Sequence, residues 1–260
     1  MKKIGFIGMG NMAGAILLGA LANGYLNGDD VIVYDINAKQ YDKLKDYNCG
    51  IANDLKDLVI NSDMVLLGVK PIFVNDVLSE VKDVLTDKSL ISIVLGYDFK
   101  KCNEVLCSST RHVSVMPNTP ALVGEGMTLI EATHSLMDDE FEFVEGLFKA
   151  VGEIEILPSY LMSAAGSLTG CGPAFIYMVI EALADGAVLE GVPRELAYRL
   201  ASQMVLGSGK MQKVTKTHPG ILKDNVCSPG GVTIKGVSTL EKGGMRSLFM
   251  DAISSTIIKK

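Results

Sequence analysis

The sequence predicts an α/β protein in two parts: a doubly wound sheet over residues 1–158 and an all-α domain over residues 159–260. Three observations predict it. Short β-prone runs alternate with helical patterns as far as Pro158, and such alternation implies parallel strands joined by crossover helices. A glycine-rich turn, Gly8-Met9-Gly10-Asn11-Met12-Ala13-Gly14, separates the first strand from the first helix. From Tyr160 onward the strand pattern stops, and apolar residues recur at mixed three- and four-residue intervals, the period of helices.

Lys2 to Ile7 is the first β-prone run, and the Ala- and Leu-rich stretch Ala15 to Ala22 reads as the first helix. Strand, glycine turn and helix in this order form the context in which G-x-G-x-x-A marks a dinucleotide site of the Rossmann type. Gly8 permits the tight turn, Gly10 lets a pyrophosphate approach the backbone, and Ala13 allows close packing of the helix. Gly8, Met9, Gly10, Asn11 and Met12 are therefore expected to hold the cofactor. The second strand, Val31 to Tyr34, ends at Asp35, 21 residues after Gly14. That is near the roughly 20-residue spacing at which an acid accepts from a ribose 2′-hydroxyl.

Met64 to Val69 is a continuous apolar run of the kind found in strands buried on both faces. Ser89 to Leu95 and Arg111 to Met116 are two more strands, with helices expected near 72–85 and 98–106. Ligands of open α/β sheets bind beyond the carboxyl ends of the strands, so Val69, Lys70, Pro71, Asn118 and Thr119 are expected to line the cofactor cleft. Two further β-prone runs, Met127 to Glu131 and Glu153 to Leu157, bracket a helix over 138–150. A domain boundary near Pro158-Ser159 follows.

In the all-α part, helices are expected over 174–189, 194–213 and 233–255, and the first of these regions is interrupted by Gly166, Gly170, Gly172 and Pro173. So many apolar and small positions predict burial against another subunit. Met178, Met204 and Met211 are expected to pack in the core. In Ser228-Pro229-Gly230-Gly231-Val232-Thr233, Ser228 suits a helix N-cap and Pro229 the first helical position. The free N–H groups and partial positive charge of such a terminus suit a small anion. Gly230 and Gly231 leave the backbone approachable, and Thr233 presents a hydroxyl beside it.

Composition narrows the function. A net charge of −6 without a long basic run speaks against nucleic acid as a partner. Five cysteines without a Cys-x-x-Cys pair, and three scattered histidines, fit neither a disulfide framework nor a metal site, and a reducing cytoplasm suits them. Glycines interrupt the apolar N-terminal stretch, so it reads as the glycine turn and not as a secretory signal. No uninterrupted apolar run approaches the ~18 residues of a transmembrane helix, so no membrane is expected.

Taken together, the N-terminal Phe-Ile-Gly-Met-Gly-Asn-Met-Ala, Val69-Lys70-Pro71, Met116-Pro117-Asn118-Thr119-Pro120, Leu168 to Ala174, and His218-Pro219-Gly220 running through Lys223-Asp224-Asn225-Val226 to Ser228–Thr233 closely resemble pyrroline-5-carboxylate reductases. The resemblance spans essentially the whole chain. It implies reduction of 1-pyrroline-5-carboxylate to proline with hydride from NADPH or NADH, and a C-terminal domain that forms interlocked dimers, often assembled into rings such as decamers. The loop Ser228, Pro229, Gly230, Gly231, Val232 and Thr233 then suits the substrate: amides around Gly230 and Gly231 for its carboxylate, and the Thr233 hydroxyl, the expected catalytic group, for its ring nitrogen. His218 reads as a loop or helix-start residue, and Lys223 and Asp224 as ionic or capping residues. NADP-preferring members place small polar residues and arginine after the second strand, whereas Asp35 here would repel a 2′-phosphate and leans towards NADH, with Lys39 a partial compensation. Two alternatives are a β-hydroxyacid dehydrogenase, whose usual lysine after the glycine-rich helix start is absent here, and a nucleotide-binding protein without catalysis.

Overall fold

The computed structural model describes residues 2–257. The chain falls into two compact units, one ending at Gly170 and one beginning at Cys171. In the first, strands β1 (Ile4–Ile7), β2 (Val31–Tyr34), β3 (Gly50–Ile51), β4 (Met64–Leu67), β5 (Ser89–Ser92), β6 (Arg111–Met116), β7 (Gly126–Glu131) and β8 (Gly152–Leu157) make one sheet in the order β3-β2-β1-β4-β5-β6-β7-β8. The first six run parallel, in the strand order of dinucleotide-binding folds. β7 pairs antiparallel with β6 and parallel with β8, so the last two strands run opposite to the rest.

The continuous apolar runs are explained by cover on both faces. Successive side chains of a strand point to opposite faces. Ile4, Phe6, Met64 and Leu66 accordingly enter one apolar cluster, with Ile16, Leu17 and Phe148, while Ile7, Val65 and Leu67 enter a second, with Leu58, Leu78 and Leu90. The helices of this unit are α1 (Asn11–Ala22), α2 (Leu55–Ile60), α3 (Val74–Val81), α4 (Phe99–Val105), α5 (Asp138–Lys149) and α6 (Ser159–Gly166). Caps set their starts: Asp54 Oδ1 accepts from the Asp57 amide at 2.8 Å, and Asp98 Oδ1 from the Lys101 amide at 2.9 Å. The helix expected over 72–85 is shorter than its pattern suggests, because Pro71–Phe73 forms a 3₁₀ turn before α3.

At the amino end of β6 an arginine pairs with a buried glutamate. Arg111 Nη2 lies 2.7 Å from Glu140 Oε1 and its Nε 2.9 Å from Oε2, with the Glu140 side chain 3% exposed. Burial alone would raise the Glu140 pKa. The hydrogen bonds from Arg111 and from the Met137 amide, with the Arg111 charge, outweigh burial and hold it at about 2. The five cysteines are free, and burial pushes the Cys102 thiol up to about 11.

The second unit is helical: α7 (Gly172–Leu189), α8 (Arg194–Thr215), α9 (Pro219–Asn225), α10 (Val232–Lys242) and α11 (Met245–Thr256). The single helix expected over 233–255 is two, divided at Gly243-Gly244, where Gly244 has φ +73°. The unit's buried core is small, Ala184, Ala197 and Ala201 with Ile180, Ala187, Val188 and Val192 around them. Met178, Met204 and Met211, expected in the core, are 67%, 48% and 56% exposed on this chain.

Gly166, Gly170, Gly172 and Pro173 do not interrupt the helix as the sequence suggests. α6, a π turn over Ser167–Cys171 and α7 form one run, Ser159–Leu189, of 31 residues. The wider π turn accommodates the stretch just before Pro173, whose ring would otherwise meet a preceding carbonyl. An 18-residue window of the run reaches a mean hydropathy of 1.5, so the helix is long and apolar enough to cross a membrane by length and composition; Glu181 and Asp185 interrupt it, so it is not an uninterrupted apolar run. Its apolar surface is largely exposed on this chain.

Candidate functional site

The strand order reverses between β1 and β4, and the glycine turn stands at the carboxyl end of β1, at this switch point. Gly8 has φ +89°, and a Cβ there would lie 2.8 Å from the Gly68 carbonyl oxygen. Only glycine fits that approach. A Cβ at Gly68 would in turn lie 2.7 Å from the Ala13 Cβ, so the small residue at 13 lets α1 pack against the turn after β4. Around Gly10 the space is open. α1 starts at Asn11 with Gly10 as its cap residue and no side-chain cap, leaving the amides of its first turn without intrahelical acceptors. An open backbone before an uncapped helix fits a pyrophosphate.

Met9 stands at the middle of the turn. Its side chain is fully buried, and its amide donates to Asp35 Oδ2 at 2.6 Å. Asp35 Oδ1 accepts from the Asn37 amide at 2.7 Å. Lys39 is exposed, and it is the Lys43 ammonium that comes near α1, 3.9 Å from where a Gly14 Cβ would be. Val69, Lys70 and Pro71 follow β4 at the same edge, with Lys70 exposed. Asn118, after β6, is 7% exposed, and both ends of its amide are used within the unit: Oδ1 accepts from the Met127 amide at 2.8 Å and Nδ2 donates to the Thr169 carbonyl at 3.0 Å. It joins the β6–β7 turn to the π turn, while neighbouring Thr119 is exposed. Between them stands a segment that the sequence reading missed, Ile93 to Gly96 after β5, which the strand order places between the ends of β4 and β6. Its only local signal is Gly96, which has φ +82°. Tyr41 was missed as well; its hydroxyl accepts from the Asp35 amide at 2.9 Å and donates to the Asp35 carbonyl at 2.8 Å.

On the second unit, Ser228 to Gly231 is a tight turn closed by the Gly231 amide on the Ser228 carbonyl at 3.0 Å. Gly230 has φ +71°, the value that a turn with proline at its second position requires of its third. Ser228 is therefore not the helix cap, nor Pro229 the first helical residue. The cap position belongs to Gly231, and α10 starts at Val232 without a side-chain cap. The Gly231 amide is spent on the turn, so the amides open to an anion are those of Val232 and Thr233. Val232 is 84% exposed and Thr233 is exposed. The cap-then-proline arrangement expected at 228–229 occurs at 218–219: His218 Nδ1 accepts from the Gly220 amide at 3.1 Å, and Pro219 opens α9.

Comparison with known proteins adds to this geometry. Residues 159–260 match the family model described as pyrroline-5-carboxylate reductase dimerisation, and residues 3–96 match that described as NADP oxidoreductase coenzyme F420-dependent. A pyrroline-5-carboxylate reductase of Pisum sativum is 39% identical over 251 residues, 96% of this chain and 92% of that protein. One of Escherichia coli (strain K12) is 38% identical over 260 residues, 99% of this chain and 97% of that protein. This chain belongs to the pyrroline-5-carboxylate reductase family. Solved structures agree: the Plasmodium falciparum pyrroline carboxylate reductase with NADP bound superposes with a TM-score of 0.90 at 32% identity, covering 98% of this chain and 95% of that one.

The reductase is thus an oxidoreductase that uses a nicotinamide cofactor and reduces 1-pyrroline-5-carboxylate, the step that yields proline. Lys223 and Asp224 are paired with each other, and the bond to Asp224 raises the Lys223 pKa. Both are occupied as an ion pair on α9, in keeping with an ionic role.

Proposed function

We propose that residues 1–158 of the reductase bind the cofactor through Gly8 to Met12, Asp35, Val69 to Pro71 and the Asn118 turn, and that residues 159–260 bind the substrate through Ser228 to Thr233. The observation that carries this reading is the uncapped N-terminus of α10 behind a closed turn. The substrate carboxylate is a compact anion, and the Val232 and Thr233 amides offer it two donors in the positive end of a helix. Gly230 and Gly231 keep that approach clear of side chains. The ring nitrogen, protonated as an iminium, donates to the Thr233 hydroxyl oxygen, which fixes the ring and its electrophilic carbon. Because the imine arrives protonated, no separate general acid is required. The bound cofactor supplies the hydride. The contribution of the chain is therefore mainly positioning, which is worth several kcal/mol of barrier.

Substrate-dependent oxidation tests the reading directly. Consumption of NADH or NADPH that requires added 1-pyrroline-5-carboxylate and yields proline is the expected result; turnover of a β-hydroxyacid instead, or cofactor binding without turnover, would overturn it.

At the adenosine end we infer a lean towards NADH. Asp35 places a carboxylate at the end of β2, and no arginine follows it before α2. A 2′-phosphate there meets like charge, eased only in part by Lys39 or Lys43. A kcat/KM for NADH above that for NADPH is expected, and the reverse order rejects the role of Asp35. We also infer that the helical domain forms a homodimer, supported by the dimerisation family match and the exposed apolar helices, and that dimers assemble into a ring such as a decamer, for which the family resemblance is the ground. Native mass determines this.

A further inference from the structure

The Asp35 carboxylate is occupied on two sides before any ligand is considered. Oδ2 holds the Met9 amide at 2.6 Å and Oδ1 the Asn37 amide at 2.7 Å. The peptide groups of Asp35 are fixed as well, both bonded to the Tyr41 hydroxyl. One side chain thus ties the glycine turn after β1 to the turn after β2. Met9 is the middle residue of Gly8-Met9-Gly10, and its side chain is locked in the apolar cluster, so the direction of its amide sets the path of the chain into Gly10. Hydrogen bonds to an ionised acceptor are roughly twice as strong as neutral ones. Without the carboxylate, the turn keeps only the Gly8 amide on the Tyr34 carbonyl at 2.8 Å as its tie to β2.

We propose that Asp35 is a positioning residue: its carboxylate clamps the glycine turn in the shape that receives the cofactor's pyrophosphate, by taking up the Met9 amide. Each carboxylate oxygen keeps a second lone pair, so a ribose contact is compatible with the clamp. The proposal rests on the cofactor site described above but not on which nicotinamide is preferred.

Hydrogen–deuterium exchange of the full-length, cofactor-free protein tests it. Asp35→Ala should speed exchange in residues 6–14 by roughly tenfold or more, the effect of losing a bond to a charged acceptor. The β5 segment should be unaffected. Asp35→Asn, which keeps an oxygen for Met9, should retain more of the protection. In steady state, Asp35→Ala should raise KM for NADH, with a smaller change in kcat at saturating cofactor, whereas for NADPH the loss of the clamp is offset by relief of the repulsion between the Asp35 carboxylate and the 2′-phosphate. Unchanged exchange at 6–14 in Asp35→Ala overturns the clamp, as does an unchanged KM for NADH. Should Asp35→Ala not fold, Asp35→Asn decides: faster exchange confined to residues 6–14 and 35–41 supports the clamp, and wild-type exchange in both rejects it. The wild-type ratio of NADH to NADPH efficiency is a separate measurement, so the two readings fail separately.

Discussion

At the scale of single residues, Thr233 and Arg111 carry opposite kinds of prediction. Thr233 stands exposed in the first turn of α10 and bears no structural load that its removal would disturb. Thr233→Ala should therefore lower kcat/KM by an amount equivalent to about 1–3 kcal/mol, the scale of a lost buried hydrogen bond, with cofactor affinity unchanged. Steady-state kinetics and a cofactor titration measure both; an unchanged kcat/KM removes Thr233 from the site. Arg111 is structural. Arg111→Ala leaves the Glu140 carboxylate, 3% exposed, without its counter-charge and should cost about 3 kcal/mol of unfolding free energy at neutral pH. Since the Glu140 pKa is lowered from 4.5 to about 2, the wild-type stabilisation is complete above the ordinary value and is lost as pH falls through about 2. The gap between wild type and variant in chemical denaturation should narrow across that window. A gap independent of pH would mean that the pair is not its source.

At the scale of elements, the turn after β1 and the turn after β4 lock together through Gly8, Gly68 and Ala13. Gly68→Ala forces its new Cβ within 2.7 Å of the Ala13 Cβ, and Gly8→Ala adds strain at φ +89° against a backbone oxygen. Gly68→Ala should cost about 1–3 kcal/mol of stability, the usual range for overpacking. Gly8→Ala should abolish cofactor binding in a calorimetric titration. The glycine turn itself was legible in the sequence because its own requirements are met within one strand–turn–helix, whereas its close approach to Gly68, beyond β4, leaves no local trace. The loop at 228–233 was only half legible. Ser-Pro-Gly-Gly suits a capped helix start and a proline–glycine turn equally well, and the choice depends on Gly230 at φ +71°. The π turn was hidden because glycine and proline ordinarily break helices, while here one extra residue in the turn carries the helix through. The bond between Met9 and Asp35 joins residues 26 apart and leaves no local trace. The same holds for Asn118, whose partner Thr169 is 51 residues away.

At the scale of the whole molecule, the helical domain combines a small buried core with a large exposed apolar surface, which suits the dimerisation family it matches. Tyr177 and Met178 on α7 are 59% and 67% exposed, and the buried core between α7 and α8 is three alanines. Met178→Glu should shift the assembled protein towards monomer in light scattering and lower the unfolding temperature of the helical domain; retention of the wild-type mass would place the interface elsewhere. The sheet of the first unit faces the reverse problem. Its row of hydrogen-bonding groups ends on two open sides, β3 and β8. β3 is only two residues long, and β8 carries the exposed Glu153 and Glu155 before Pro158 closes it. A brief edge and an acidic one give another chain little to pair with. Edges so short or so charged keep the sheet from recruiting strands of another chain while the apolar helices remain uncovered.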